Sequence, residues 1–451
     1  VSERLPVLDQ RRAGVLLPLS SLAAPLGRGG RECIDWLSAG GFSVWQILPL
    51  GPTGADGSPY WVRSDHAGNP QLLDPQELPP ADAQPDEAFR AACAAWLPDY
   101  ALFAALSEAH GDAPFWSWPE GLARRAPQAL SDARRALAGA IGRIEREQWA
   151  FHLQWQRLRD YARSRGVRLF GDLPFYVAPS SAETWAHREL FQLQGSGAPA
   201  AVGGVPPDYF AVTGQRWGNP LYDWQALAAS SFSWWTARVA AQLARLDLLR
   251  LDHFRAFAAH WAIPAAAADA RGGAWAPTPG RALLNALRAE LPDLPLIAED
   301  LGVITPDVIE LMRAFSLPGM RVLQFAFDGN PANPHLPYLY PRECLAYTGT
   351  HDNDTARGWY QALDEGTRAH VDFFLGDAAP PIPGALVRAV LASVAQLAVV
   401  PLQDLLGLDS GARFNTPGTT SGNWQWQVPA GAFGAPLAAH CAHLNRAFGR
   451  A

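Results

Sequence analysis

The residues best placed to do chemistry sit at the ends of three short apolar segments, each of which terminates in a carboxylate. Leu248 to Phe254 reads Leu-Leu-Arg-Leu-Asp-His-Phe, and in a β-strand its Arg250 and Asp252, two positions apart, share one face. Charges in such a run are tolerated when paired, so Arg-x-Asp is either a structural ion pair or a working one. Leu296 to Gly302 (Leu-Ile-Ala-Glu-Asp-Leu-Gly) places Glu299 at the end of a second run, and Leu345 to Asp354 (Leu-Ala-Tyr-Thr-Gly-Thr-His-Asp-Asn-Asp) places His351 and Asp352 beyond a third. In a parallel barrel, strand ends on one face converge on the active site, and paired carboxylates are the means of cleaving glycosidic bonds. A retaining glycosidase needs one carboxylate ionised for attack and one protonated for the leaving oxygen, about 5 Å apart. Arg250 favours an ionised Asp252, and desolvation on an apolar strand raises the pKa of Glu299.

The elements that must position these residues follow from the same reading. Apolar runs at Gly14 to Leu19, Ser43 to Leu48, Val167 to Val177, 248 to 253, 296 to 300, Met320 to Phe327, Leu345 to Thr348 and Ala398 to Gln403 make eight strands. Most are separated by helical patterns, which predicts α/β architecture: one (β/α)8 TIM barrel over residues 1–451, with largely helical insertions in the loops at its C-terminal face. Residues 51–166 form an insertion between strands two and three, its last helix closing on Gly166, and residues 174–247 form a substrate-binding insertion between strands three and four. Asp172, at the end of strand three, is read either as a capping or turn residue or as part of the site. The segments 204–210 and 214–220 are too rich in Gly and Pro for a regular element and too aromatic for a linker, so a binding loop is expected there. Thr305-Pro306-Asp307 predicts a helix start with a hydroxyl N-cap.

Composition narrows the function further. The chain has 451 residues, 49% of them hydrophobic, enough for a large core, and no apolar run approaches the ~18 residues of a membrane span. No secretory leader pattern stands at the N-terminus, so a cytoplasmic protein is expected, with no membrane partner. A net charge of −7 argues against nucleic acid. There is no lysine, which excludes Schiff-base, pyridoxal-phosphate and P-loop lysine chemistry. The four cysteines lie far apart and no His/Cys spacing suits a metal, so buried free thiols, no metal and no cofactor are expected. Eighteen tryptophans leave room both for core packing and for walls on which sugars stack.

The ordered set Arg-Leu-Asp-His-Phe-Arg, Ala-Glu-Asp-Leu-Gly and Thr-His-Asp-Asn-Asp-Thr resembles the amylomaltases, the 4-α-glucanotransferases or disproportionating enzymes related to the α-amylases. The resemblance runs from about Gly14 to Val428. It includes Ser58-Pro59-Tyr60, Ala67-Gly68-Asn69-Pro70, Gln403-Asp404-Leu405-Leu406-Gly407, Asn415-Thr416-Pro417-Gly418 and Gly422-Asn423-Trp424-Gln425-Trp426. It implies Asp252 as nucleophile, Glu299 as general acid/base and Asp352 as transition-state stabiliser. Tyr60, Asp172, Asp208, Gln215, Trp217, Arg250, His351 and Asn415 match positions that bind the glucan; His351 reads otherwise as a capped loop histidine. The implied partners are an α-1,4-glucan donor and acceptor, bound by a monomer or small homo-oligomer. Two departures stand out: Trp61-Val62-Arg63-Ser64-Asp65-His66 puts charges where the family has small and aromatic residues, and Ala265-Ala266 replaces a usual Gly-Glu in a loop over the acceptor side. A hydrolase that lets water deacylate the intermediate, or a glucan-binding protein without activity, are the competing readings; the latter would be expected to have lost a carboxylate.

Overall fold

The computed structural model describes residues 8–80, 82–207, 212–376 and 380–451. Twelve strands lie along them: β1 Arg12–Leu16, β2 Val44–Gln46, β3 Arg168–Leu173, β4 Ala201–Val205, β5 Gln215–Pro220, β6 Leu248–Leu251, β7 Ala259–Pro264, β8 Ala274–Pro277, β9 Leu296–Ala298, β10 Gly319–Val322, β11 Cys344–Tyr347 and β12 Leu397–Pro401. Eight of them form one parallel sheet in the order β10-β11-β12-β1-β2-β3-β6-β9. These strands are buried on both faces, which is why they read as mostly apolar runs rather than as alternation. The sheet curls into a nearly closed barrel. Among the described residues, one backbone hydrogen bond, from Ala298 N–H to the Pro318 carbonyl at 2.9 Å, spans the remaining seam between β9 and β10. Asp300 reinforces it, accepting from the Met320 N–H at 2.6 Å and pairing with Arg321 at 2.9 Å.

The strands are shorter than the apolar runs. β3 stops before Pro174 and β12 ends in Pro401, neither of which has an N–H to continue the ladder, and a helix Leu402–Leu406 follows at once. β10 gives way after Val322 to a tight turn, Leu323–Phe325. The helix start at Thr305 is also made differently from expectation. Pro306 opens the helix Pro306–Ala314, but the Thr305 hydroxyl bonds the Asp307 carboxylate instead of accepting a backbone N–H.

The binding-loop reading of 204–220 requires correction. β4, β5, β7 and β8 make a second, antiparallel sheet in the order β5-β4-β7-β8; residues 208–211, between β4 and β5 in the chain, lie outside the described residues. The glycines that argued against a strand are what permit it. A Cβ on Gly203 would lie 2.6 Å from the Tyr176 ring, and one on Gly204 would lie 2.1 Å from the Gln215 carbonyl oxygen.

The segment carrying Tyr60 is tied to the long helix Ala138–Ser164. Its buried Gln148 and Gln154 each use both ends of the side-chain amide on one residue's backbone, accepting from its N–H and donating to its C=O: Gln148 with Gly68 at 2.7 and 2.9 Å, Gln154 with Asp74 at 2.9 and 3.0 Å. Of the unusual charges nearby, Asp65 turns inward while Arg63 stays near the surface. Asp65 forms a buried ion pair with Arg238 at 2.6 Å, and Arg63 pairs with Asp112 at 3.0 Å. Arg238, on the helix Ser233–Leu243, also donates to the carbonyls of Pro174, Phe175 and Tyr176 just after β3. The charged stretch thus fastens the insertion to the barrel rim. All four cysteines are free and buried, and no helix among the described residues is long and apolar enough to cross a membrane.

Candidate active site

Asp252 follows β6 directly and Glu299 follows β9, its neighbour in the barrel; Asp352 stands five residues past β11. All three leave the C-terminal ends of parallel strands. Arg250, buried in β6, reaches Asp172 of β3 at 2.5 Å and Asp252 at 3.0 Å. Asp172 is therefore neither a cap nor a turn residue: it is 2% exposed, lies within β3 and also accepts from the Tyr60 hydroxyl at 2.6 Å. The Tyr60 oxygen lies 2.8 Å from His351 Nε2. Since that hydroxyl donates to Asp172, its lone pair faces the ring, and His351 Nε2 carries the hydrogen. His351 Nε2 also stands 3.3 Å from Asp352 Oδ2, and the Asn415 amide donates to Asp352 Oδ1 at 2.7 Å. One continuous polar chain links Asn415, Asp352, His351, Tyr60, Asp172, Arg250 and Asp252.

The three carboxylates have unlike environments. Burial pushes Glu299 up to about 8; Arg250 opposes this and the Asp252 carboxylate adds to it. Both Glu299 oxygens accept backbone hydrogens, Oε2 from His253 at 2.8 Å and Oε1 from Leu301 at 2.7 Å. Burial also outweighs Arg250 at Asp252, which is pushed up to about 6, so the guanidinium alone does not set its charge as its neighbouring position suggested. The Asp252 side chain is still 27% exposed. At Asp352 burial acts upward but loses to His351 and Asn415, which hold the carboxyl well below its ordinary range while 46% of the side chain faces the cleft. His351 is raised in turn: burial lowers it, and Asp352 more than compensates.

Trp217, in β5, meets the His253 ring edge-on at 4.8 Å, and Gln215 accepts from its indole N–H at 3.0 Å. Gln215 is thus joined to the site through Trp217. Asp208 lies outside the described residues. The loop after Ile263 is the turn of the β7–β8 hairpin, where Arg216 donates to the Ala265 carbonyl at 2.8 Å and Trp261 and Trp275 meet edge to face at 5.3 Å. Among the described residues, no group of three or more His, Cys, Asp or Glu side chains is arranged to hold a metal ion.

Comparison with known proteins places this geometry. The family described as 4-alpha-glucanotransferase matches residues 17–87 and 80–432. The chain belongs to the 4-alpha-glucanotransferase family. A 4-alpha-glucanotransferase of Thermus thermophilus is 43% identical over 476 aligned positions, covering 93% of this chain and 95% of its own. That of Synechocystis is 41% identical and covers 98% and 99%. Among solved structures, the amylomaltase from Streptococcus agalactiae in complex with acarbose superposes with a TM-score of 0.93 at 31% identity, over 98% of this chain and all of that one.

This 4-alpha-glucanotransferase places three further residues in the site. His253 adopts a left-handed backbone (φ 49°), uncommon for a side chain of its size, and so aims its N–H at Glu299. Trp424, also left-handed (φ 62°), packs on Tyr60 at 5.9 Å and on His351 at 6.1 Å. Arg413 donates to the backbone carbonyls of Asp352 at 2.7 Å and Asn415 at 2.6 Å. His253 and Trp424 stand inside motifs quoted for the family resemblance without a role of their own, and the sequence signal for Arg413 was its place two residues before Asn415.

Proposed function

We propose that this 4-alpha-glucanotransferase works by a retaining double displacement. The Asp252 carboxylate attacks the anomeric carbon of the donor glucan as Glu299 gives its proton to the departing glycosidic oxygen. A glucosyl ester on Asp252 results. In the second half, the 4-hydroxyl of an acceptor glucan gives its proton to Glu299 as its oxygen displaces Asp252, restoring both groups. Asp352, ionised throughout, stabilises the positive charge at the sugar ring in both transition states.

The observation that carries this reading is the pairing, on adjacent barrel strands, of a carboxylate near 6 with one near 8. Two titratable groups pushed apart in this way divide into nucleophile and acid. The backbone bonds to Glu299 occupy one lone pair on each oxygen, which leaves the acid proton the cleft-facing side. We infer that Tyr60, Trp217 and the sequence-implied Asp208 and Gln215 wall the glucan site, while Asp172, Arg250, His351 and Asn415 form its hydrogen-bonded floor. The chain acts as one catalytic unit, with insertions 51–166 and 174–247 as its walls, needing no cofactor. A cytoplasmic monomer or small homo-oligomer fits four free, buried thiols. Acarbose, bound by the Streptococcus agalactiae relative, is expected to compete at this cleft.

Transfer outruns hydrolysis where the acceptor is held against the ester and water is displaced. Pure maltotriose should give glucose and a ladder of longer oligosaccharides with little gain in reducing ends. A steady rise in reducing ends with nothing longer than maltotriose would mark a hydrolase instead.

A further inference from the structure

His351 and Asp352 ride on a loop that leaves β11 at Thr348 and enters the helix Ala356–Ala362. Both ends of that loop are held by one side chain from another element. Asp404, on the short helix after β12, accepts from the Thr348 hydroxyl at 2.6 Å through Oδ2 and from the Ala356 N–H at 2.7 Å through Oδ1. It is 2% exposed, and Thr348 and Ala356 are fully buried. Within the loop, the Thr350 hydroxyl and N–H both bond Asn353 Oδ1 at 2.9 Å, and Gln324 donates to the Asp354 carbonyl at 2.9 Å. Those bonds shape the loop's middle, whereas Asp404 fixes the distance between its ends.

We propose that Asp404 is a positioning residue for turnover, a two-point clamp that sets where the loop presents Asp352 and His351 to the sugar. The proposal rests on the reading that Asp352 serves the transition state. A carboxylate buried this deeply is costly and is pushed up to about 6 by that burial, with the two hydrogen bonds and repulsion from Asp354 acting after it. What the position requires is two hydrogen-bonding contacts, one to each end of the loop, rather than the charge. An Asn side chain can supply both: its oxygen accepts from Ala356 N–H, and its amide donates to Thr348, whose hydroxyl can reverse. An Ala side chain supplies neither.

The test compares Asp404→Ala, Asp404→Asn, Thr348→Val and Asp352→Asn in the full chain, assayed on maltotriose well below each variant's Tm. Arg450→Ala serves as a stability control. Arg450 binds the carbonyls of Leu391, Ser393 and Arg12 and lies far in the fold from the Asp352 loop. Asp404→Ala should lower kcat by about 100-fold, the cost of a displacement near 1 Å, with KM changed less than about threefold. Asp404→Asn should stay within about fivefold of the parent, Thr348→Val should fall between them, and Arg450→Ala should lower Tm without lowering kcat. The clamp is overturned if Asp404→Ala keeps half the parental kcat, or if Asp404→Asn is as impaired as Asp404→Ala. Should Asp404→Ala not fold, Asp404→Asn against Thr348→Val decides: equal kcat for those two overturns it. Survival of turnover in Asp352→Asn would instead overturn the reading beneath the proposal.

Discussion

At Glu299 two demands on one side chain conflict. An acid that works near neutral pH must hold its proton where an ordinary carboxyl has lost it, and the device here is burial at the end of β9. The paired values, about 6 for Asp252 and about 8 for Glu299, predict a bell-shaped pH profile for kcat/KM. On the proposed roles, Asp252 is protonated and cannot attack below about 6, and Glu299 is ionised and cannot donate above about 8. Asp252→Asn and Glu299→Gln should each remove several orders of magnitude of turnover while the fold survives. The same burial acts on stability. Glu299 has an ordinary value of 4.5, so between about 4.5 and 8 the folded chain holds a proton that the unfolded chain has released, and stability falls as pH rises through that window. Glu299→Gln does not titrate. It loses one acceptor to a backbone N–H, a deficit that is the same at every pH. The Tm of the variant relative to the parent should therefore climb between pH 5 and pH 8, and a flat difference would refute the upward shift of Glu299.

At the level of elements, the site depends on keeping Tyr60, from the first insertion, in register with β3 and β6. The Asp65–Arg238 pair joins partners 173 residues apart and is closed to solvent. Nearby, burial pushes Glu183 up to about 7, with Asp65 the next cause; Glu183 accepts from the Ser64 hydroxyl at 2.6 Å and the Asp65 N–H at 3.1 Å. Arg238→Met should cost about 3–5 kcal/mol, since it strands Asp65 without its cation, and adding Asp65→Ala should recover part of that loss in a double-mutant cycle read by urea unfolding. This linkage shows where sequence reading stops. The barrel strands were legible because burial on both faces leaves them mostly apolar, and the carboxylates because each stands out at or near the end of such a run. The antiparallel sheet was not. Ala-Val-Gly-Gly-Val and Gln-Arg-Trp-Gly-Asn-Pro carry neither an apolar run nor clean alternation, and their glycines answer to Tyr176 and to a neighbouring carbonyl that only the fold supplies. The partner of Asp65 was equally hidden, because no local pattern points from a loop to a helix so distant in the chain.

Over the whole molecule, chemistry and anchorage occupy different regions. The strand ends that carry Asp252 and Glu299 look outward at one end of the barrel, while Arg450 ties the start of β1 to the segment entering β12. Between them runs a ring of ladders of uneven strength. β1 and β12 are in register over five residue pairs, whereas the joint between β9 and β10 relies on the Ala298 bond and on the Asp300 side chain. A joint stitched by a side chain costs less to part than one zipped by peptide groups, so excursions of the native state should begin there. Deuterium should reach the amides of Ala298 and Met320 before those of Val15 and Val400, and equal rates would count against it. Glu299 is the residue next to Ala298. On the proposed mechanism the proton donor therefore stands one residue from the joint most ready to part, and what keeps it beside Asp252 through such an excursion is its backbone pairing with Leu251 and Phe254 on the other side.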